Sequence, residues 1–587
     1  MCGIIGCIST SNNSPEIVLN GLKLLEYRGY DSWGIASISE GTINLSKKVG
    51  RIGDEKSTEK HANISIGHTR WATHGNVTEE NAHPHLSNDG KIAVVHNGIV
   101  ENYQPLKKML LSKGFSFRSK TDTEIIPNII QLFMQEGNDF PTAFRKTLLE
   151  IEGSYAIVAI HAASSDILGA RKGSPLVIGI SNEKKFFASD VPAFLEHTKK
   201  VIYLEDDEMA ILSNETYSVF EVASHPKKMQ KKTDIIAWDT EQAKKGEFEH
   251  FMLKEISEQS ETVKKAIQQP IGIIEKATKM ILNAKEVFFV GCGTSYHACV
   301  SSSYVFSHIA KMHVNVVLAS EFRNYENFLT KDTLVVAVSQ SGETADLIDA
   351  VKTAKKSSSK VLSIVNVMGS TLMRMSDESI LMNAGPEICV LSTKSYTSQL
   401  AILLLLAYST AGKTEEGKNL IESANSHIPE LIKSNLSTLK VLAKKLHASK
   451  DIFLIGRDLA YPSALESALK IKEVSYIHAE AFAGGELKHG TIALIEENVP
   501  VIVFVTKKTR PLILSNAIET KSRGAFIIGI DSEENELYDF FINVPETGNA
   551  DPILMVIPIQ ILAYYLALEK NLDPDKPRNL AKSVTVK

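Results

Sequence analysis

Two groups of residues in this sequence have types and spacings suited to chemistry. The first lies at the start, where "MCGI" puts Cys2 directly after Met1. A side chain as small as cysteine at position two permits removal of the methionine. The thiol would then sit beside its own base, an α-amine with a pKa of about 7.7–8.0, and would need no adjacent histidine. The alternative reading is a small apolar residue in an N-terminal strand, and Cys7 is read as an ordinary buried thiol. A nucleophile of this kind needs donors for an oxyanion, and Asn97 with Gly98 in "VVHNGIVENY" offers a side-chain amide and a backbone N–H. Taken alone, the same Asn-Gly pair reads as a hairpin turn. An amino-acid substrate also needs one cationic and one anionic partner. "GHTRWATHG" supplies Arg70, Trp71 and His74, and "SKTDTE" supplies Asp122, although "DTE" reads equally as a helix N-cap.

The second group lies in the C-terminal half. Glu466, Lys470 and Glu473 recur at i, i+4 and i+7, which places them on one helix face. A solvated, salt-bridged face is the default for such spacing, but the neighbours are Ala, Leu, Ile and Val, which predicts a mostly buried helix. A buried carboxylate can have its pKa raised toward that of a useful base. "GELKHG" adds His489 between glycines. "SQSGET" follows an apolar strand and sets Ser339, Gln340, Ser341 and Thr344 at a strand-to-helix turn, where N–H groups and hydroxyls can hold a phosphate dianion. Helix capping accounts for a lone Ser-x-Ser as well. Two further hydroxyl loops, at Thr294 and Ser295 and at Ser392, favour phosphate.

The elements that must position these groups fall into two regimes. Up to about residue 220, short β-branched runs such as "KIAVVHNGIV" and "SYAIVAIHA" alternate with amphipathic helices such as "EIVLNGLKLLEY". Residues 221–250 are lysine-rich and poorly periodic and are read as a linker. Beyond 251 a strand–helix unit occurs twice. "EVFFVGCGTSYHACV" aligns with "DIFLIGRDLAYPSAL", and "DTLVVAVSQSGETADL" with "NVPVIVFVTKKTRPLI". Parallel sheets with ligand loops at their carboxyl ends are expected, with boundaries at 251–418 and 419–575 and a tail at 576–587. The first copy keeps the hydroxyl residues and the second does not, so the first is the ligand-binding half.

A length of 587 residues requires several domains, and a net charge of −5 gives no electrostatic footprint for nucleic acid. Five scattered cysteines without Cys-x-x-Cys spacing argue against a disulfide framework or a zinc site and for a reducing cytosol. No metal or other cofactor is expected. The greasy run from Pro552 is interrupted by Pro558 and Gln560 and reads as a buried helix rather than a membrane span.

"CGTS", "SQSGET", "STK", "SYIHAEAFAGGELKHG" and "PRNLAKSVTVK" together resemble the glutamine–fructose-6-phosphate aminotransferase (isomerising) family, with its tandem sugar-isomerase (SIS) domains. "MCGI", "LEYRGYDS", "GHTRWATHG", "HNG" and "SKTDTE" resemble its class II glutamine amidotransferase domain, an N-terminal-nucleophile αββα sandwich. The resemblance implies an α+β domain followed by two α/β domains. It also implies glutamine-dependent conversion of fructose 6-phosphate to glucosamine 6-phosphate, the first step of hexosamine synthesis, with ammonia passed internally. On that basis Arg70 would grip the glutamine carboxylate and Asp122 its ammonium, with Arg28 and His74 nearby and Trp71 as the gate to the ammonia path. Thr294, Ser295, Ser339, Gln340, Ser341 and Thr344 would hold the sugar phosphate and Ser392 would position the sugar. Glu473 would move the proton between C1 and C2, assisted by Lys470. Lys582 would form a Schiff base, and His489 would open the sugar ring of the neighbouring subunit in a homodimer. Trp33, Glu247, Ser260 and Thr491 depart from the family pattern and leave sugar preference open. The alternatives are an aminotransferase for another ketose phosphate or a noncatalytic sugar-phosphate sensor. A phosphoribosyl-transferring amidotransferase would require a downstream pyrophosphate loop that "SQSGET" does not match.

Overall fold

A computed structural model describes residues 2–57, 61–71, 75–236, 238 and 244–585. The chain divides into two compact units, Met1–Ala243 with Ala581–Lys587, and Lys244–Leu580.

The first unit holds two antiparallel sheets. One runs in the order Asp234–Ile235, Lys200–Tyr203, Val177–Ile180, Lys184–Ala188, Gly3–Ser9, Ile64–Arg70, Ser32–Ser39, Thr42–Val49. The other runs Lys228–Met229, Tyr217–Glu221, Glu208–Leu212, Ile167–Lys172, Gly153–His161, Ile92–Val100, His85–Leu86. Period-two alternation explains the layers, because successive side chains of a strand point to opposite faces. In strand Ile92–Val100, Ala93 and Val95 enter the core between the sheets, while Ile92 and Val94 pack toward helices Ile125–Gln135 and Phe140–Glu150. Strand Gly153–His161 divides likewise: Val158 and Ile160 face inward, Ile157 and Ala159 outward. Each fully buried Val or Ile of this kind contributes about 1.5–3 kcal/mol. Helix Ser14–Leu25 covers the outer face of the first sheet, completing the expected αββα sandwich. Strands Lys228–Met229 and Asp234–Ile235 fall within the stretch read as a linker and instead extend the sheet edges, because their backbones find partners there.

The second unit carries two five-stranded parallel sheets of the same order: Asn315–Leu318, Glu286–Gly291, Thr333–Ser339, Lys360–Val365, Glu378–Leu381, and His478–Ala483, Asp451–Gly456, Pro500–Phe504, Phe526–Asp531, Phe540–Asn543. The sequence repeat is therefore a structural repeat. The boundary expected at residue 418 runs through helix Thr414–Leu446, which is continuous across it because the apolar spacing does not lapse there. The apolar run Gly548–Glu569 is long enough to cross a membrane, but 89% of its most apolar window is buried inside the protein.

Candidate active sites

In the first unit, Cys2 precedes strand Gly3–Ser9, and strand Ile64–Arg70 pairs with it so that Gly3 faces Thr69. This register brings the next residue, Trp71, against the thiol. The Trp71 N–H donates to Cys2 Sγ at 3.3 Å and the Trp71 carbonyl lies 3.6 Å from it. Burial pushes the Cys2 thiol pKa up, while the Trp71 N–H and the Arg70 charge act in the opposite direction. Asn97 donates its amide to the Cys2 carbonyl at 2.9 Å, so a side-chain donor stands beside the nucleophile's backbone.

The Asn-Gly pair lies inside strand Ile92–Val100, so the hairpin-turn reading is corrected. Neighbouring strands carry the pairing straight through it, with Asn97 opposite Ala156 and Gly98 opposite Tyr155. Gly98 has a φ of +129°, and a Cβ there would meet the Ser154 carbonyl oxygen at 2.0 Å. Only glycine fits this bend. Asp122 is not a helix cap either, since Glu124 occupies that position; its carboxylate accepts the Val100 N–H at 2.8 Å and is buried. Arg70 is buried, and its guanidinium donates to the carbonyls of Gly75 and Asn76, both at 3.2 Å. Arg28 is drawn inward, donating to Asp190 at 2.9 Å and to the Cys2 carbonyl at 3.4 Å, so it braces the nucleophile's backbone. Tyr27 joins the same Asp190 carboxylate at 2.5 Å. Asp190 lies far from Arg28 in sequence, and nothing local announces it. His74 lies outside the described residues. Trp33 is buried, and Lys48 stands 6.0 Å from its ring centroid.

In the second unit, helix Ala460–Ser475 carries the charged face predicted from spacing, and the face is buried. Lys470 Nζ lies 3.2 Å from Glu466 and 2.8 Å from Glu473. Glu466 is sealed at 0% side-chain exposure, whereas Glu473 keeps 20%, which makes Glu473 the carboxylate open to a ligand. Helix Gly293–Val305 approaches from the first sheet: Thr294 donates to Glu466 at 3.0 Å and His297 Nδ1 meets it at 2.8 Å. Lys470 also donates to Thr294 Oγ1 at 3.0 Å and to the Ser392 carbonyl at 3.3 Å. Burial alone would lower the Lys470 pKa, but the two glutamates outweigh it and hold the ammonium charged. Lys470 therefore acts as a fixed cation between two carboxylates.

Glu466 was visible on the charged face, but its role as the hub was not. His297 was missed, although it stands one helical turn after Thr294. Ser295 accepts a hydrogen bond from Gln399 at 3.1 Å. Ser339 and Ser341 accept the N–H groups of Gly342 and Glu343 at 3.0 and 3.2 Å, so these hydroxyls shape the loop that opens helix Ala345–Lys356. Thr344 sits at the N-cap position, and Gln340 lies between the two serines. This loop leaves strand Thr333–Ser339 beside strand Glu286–Gly291, which delivers Thr294. His489 is exposed on the short turn Gly484–His489 and makes no hydrogen bond to the Thr294–Glu473 group among the described residues. Lys582 belongs to the tail grouped with the first unit. Among the described residues no cluster of metal-ligand type is present.

Comparison with known proteins agrees with this division. The glutamine amidotransferase domain model matches residues 40–248, and the SIS domain model matches 280–409 and 445–570. A glutamine–fructose-6-phosphate aminotransferase [isomerizing] from Pyrococcus horikoshii is 45% identical over 599 residues, covering 100% of both chains. One from Clostridium acetobutylicum is 44% identical over 619 residues with the same coverage. The C-terminal domain of glucosamine-fructose-6-phosphate aminotransferase from Francisella tularensis superposes with a TM-score of 0.51 at 33% identity, covering 57% of this chain and 99% of that one. With full-length relatives this similar and each half matched by its own domain model, the chain belongs to the glutamine–fructose-6-phosphate aminotransferase (isomerizing) family.

Proposed function

We propose that this enzyme transfers the amide nitrogen of glutamine to fructose 6-phosphate, yielding glucosamine 6-phosphate and glutamate. The observation that carries the glutaminase half is the convergence of Trp71 and Asn97 on Cys2, with a thiol in reach of one N–H and an amide donor beside it. After Met1 is removed, the Cys2 α-amine takes the thiol proton as sulfur attacks the γ-carboxamide. The Asn97 amide and Gly98 N–H receive the oxyanion, ammonia leaves, and water releases glutamate from the thioester. Arg70 and Asp122 bind the two ends of the amino acid, with Arg28, Trp71 and His74 framing the pocket.

At the second site, the hydroxyl loops of Thr294, Ser295, Ser339, Gln340, Ser341 and Thr344 hold the phosphate. Ser392 orients the sugar, and Lys582 condenses with the C2 carbonyl. Ammonia from the first site replaces the lysine, and Glu473 carries the proton between C1 and C2. Lys470 pairs with both Glu473 and Glu466, so the base sits in a fixed field. His489 opens the ring from a second copy of the chain, which makes the working form a homodimer. Five free cysteines support a cytoplasmic location.

A Cys2→Ala variant tests the assignment. It is expected to release no glutamate and make no amino sugar from glutamine, while binding fructose 6-phosphate as the parent does. Retained glutamine-dependent synthesis contradicts the reading.

A further inference from the structure

Four histidines are buried behind the Cys2 site, and the reaction as described uses none of them. His68, His83, His85 and His96 are each 5% exposed or less. The His68 and His83 rings lie 4.2 Å apart and those of His83 and His85 4.7 Å apart. Imidazoles packed this closely cannot all be charged, and desolvation holds all four pKa values down, that of His68 at about 3. They are neutral hydrogen-bonding groups, and their partners are specific.

His68 Nε2 contacts Asn97 Oδ1 at 3.0 Å and the His96 carbonyl at 3.1 Å. Both are acceptors, so Nε2 carries the proton, and Nδ1 is the nitrogen without a partner. An amide whose oxygen is held this way can turn only its NH2 group toward Cys2, where it is found at 2.9 Å. His83 Nε2 and His96 Nδ1 both meet Thr123 Oγ1 at 2.9 Å, and His85 Nε2 meets Thr121 Oγ1 at 3.0 Å. Thr121 and Thr123 flank Asp122, and the Thr123 hydroxyl lies 3.5 Å from its carboxylate.

We propose that these histidines are positioning residues with divided duties: His68 fixes the amide orientation of the oxyanion donor Asn97, and His83, His96 and His85 clamp the segment that presents Asp122 to the glutamine ammonium. This rests on the roles given above to Asn97 and Asp122. A scaffold role alone would affect turnover and binding together. Divided positioning separates them, because an oxyanion donor acts in the transition state and an ammonium anchor also acts in the ground state.

The test is steady-state glutamine hydrolysis by full-length variants. His68→Leu and His68→Asn, which remove or shorten the donor, are expected to lower kcat about tenfold or more with KM within about threefold. His68→Gln, whose amide reaches Asn97, is expected to restore most of the loss. Thr123→Val is expected to raise KM about tenfold with kcat within about threefold, and Thr123→Ser to behave as the parent. If His68→Leu does not fold, the asparagine and glutamine variants decide. Equal kcat and KM effects at both positions, or no rescue by Gln and Ser, overturn the proposal. Asn97→Ala and Asp122→Ala separate its failure from that of the underlying reading. If they shift kcat and KM as assigned while the His68 and Thr123 variants do not, only the positioning proposal falls. If they shift neither, the site assignment falls with it.

Discussion

At the scale of residues, the second site is a run of polar contacts through Glu473, Lys470, Glu466 and His297, closed at its inner end and open at Glu473. Removing one member of a buried pair leaves a charge without compensation, which is why the helix tolerates this face only as a set. The division of labour between Glu473 and His489 gives a direct expectation. Glu473→Gln and His489→Ala should each lower amino-sugar formation by about a hundredfold or more, as loss of a general acid or base does. If His489 serves the neighbouring copy, mixing and reassociating the two variants should restore about a quarter of the parent activity. Half of the dimers are then mixed, and each mixed dimer has one intact site. Assays of the mixture against each variant alone check this, and no recovery would place His489 in its own chain's site.

At the scale of elements, most of the architecture could be read from period and repeat. The αββα layers follow from alternation in strands such as Ile92–Val100, and the paired parallel sheets follow from the duplicated strand–glycine–helix unit. Other features depend on distant partners and could not be read this way. Asn-Gly carries a strong local turn signal that strand pairing overrides, whereas Asp-Thr-Glu does open a helix, with Glu124 at the N-cap position and the Asp122 carboxylate taken instead by the Val100 N–H. Arg28 meets Asp190, and His297 meets Glu466, only once the strands are in register. The buried histidine layer was equally silent, because four separate histidines in sequence do not announce a cluster. That layer has a pH consequence. Its folded pKa values lie below the unfolded value of about 6.5, so the unfolded state binds more protons as pH falls. The stabilisation is complete above about pH 6.5 and declines below it, by about 1.4 kcal/mol per pH unit for each ring that must stay neutral. Trp33, Trp71 and Trp238 are the three tryptophans of the chain, and all lie within Met1–Ala243. Tryptophan emission during urea unfolding therefore reports this unit, and its midpoint should fall steeply between pH 6.5 and 5. An unchanged midpoint would mean the rings are charged in the folded state.

At the scale of the whole molecule, two units with unrelated architectures serve one reaction. An antiparallel sandwich carries the thiol, and a duplicated parallel-sheet pair carries the hydroxyl loops and the carboxylate–lysine face. Neither half alone explains the other's chemistry, since a glutaminase without an acceptor wastes ammonia and a sugar isomerase needs no thiol. What joins them is the nitrogen atom. The measurement that tests this most directly follows glutamine labelled with 15N in its amide, supplied with fructose 6-phosphate and excess unlabelled ammonium. The account predicts glucosamine 6-phosphate and glutamate in equal amounts, with the label retained in the amino sugar. Glutamate formed without amino sugar, or amino sugar carrying the unlabelled nitrogen, would contradict it.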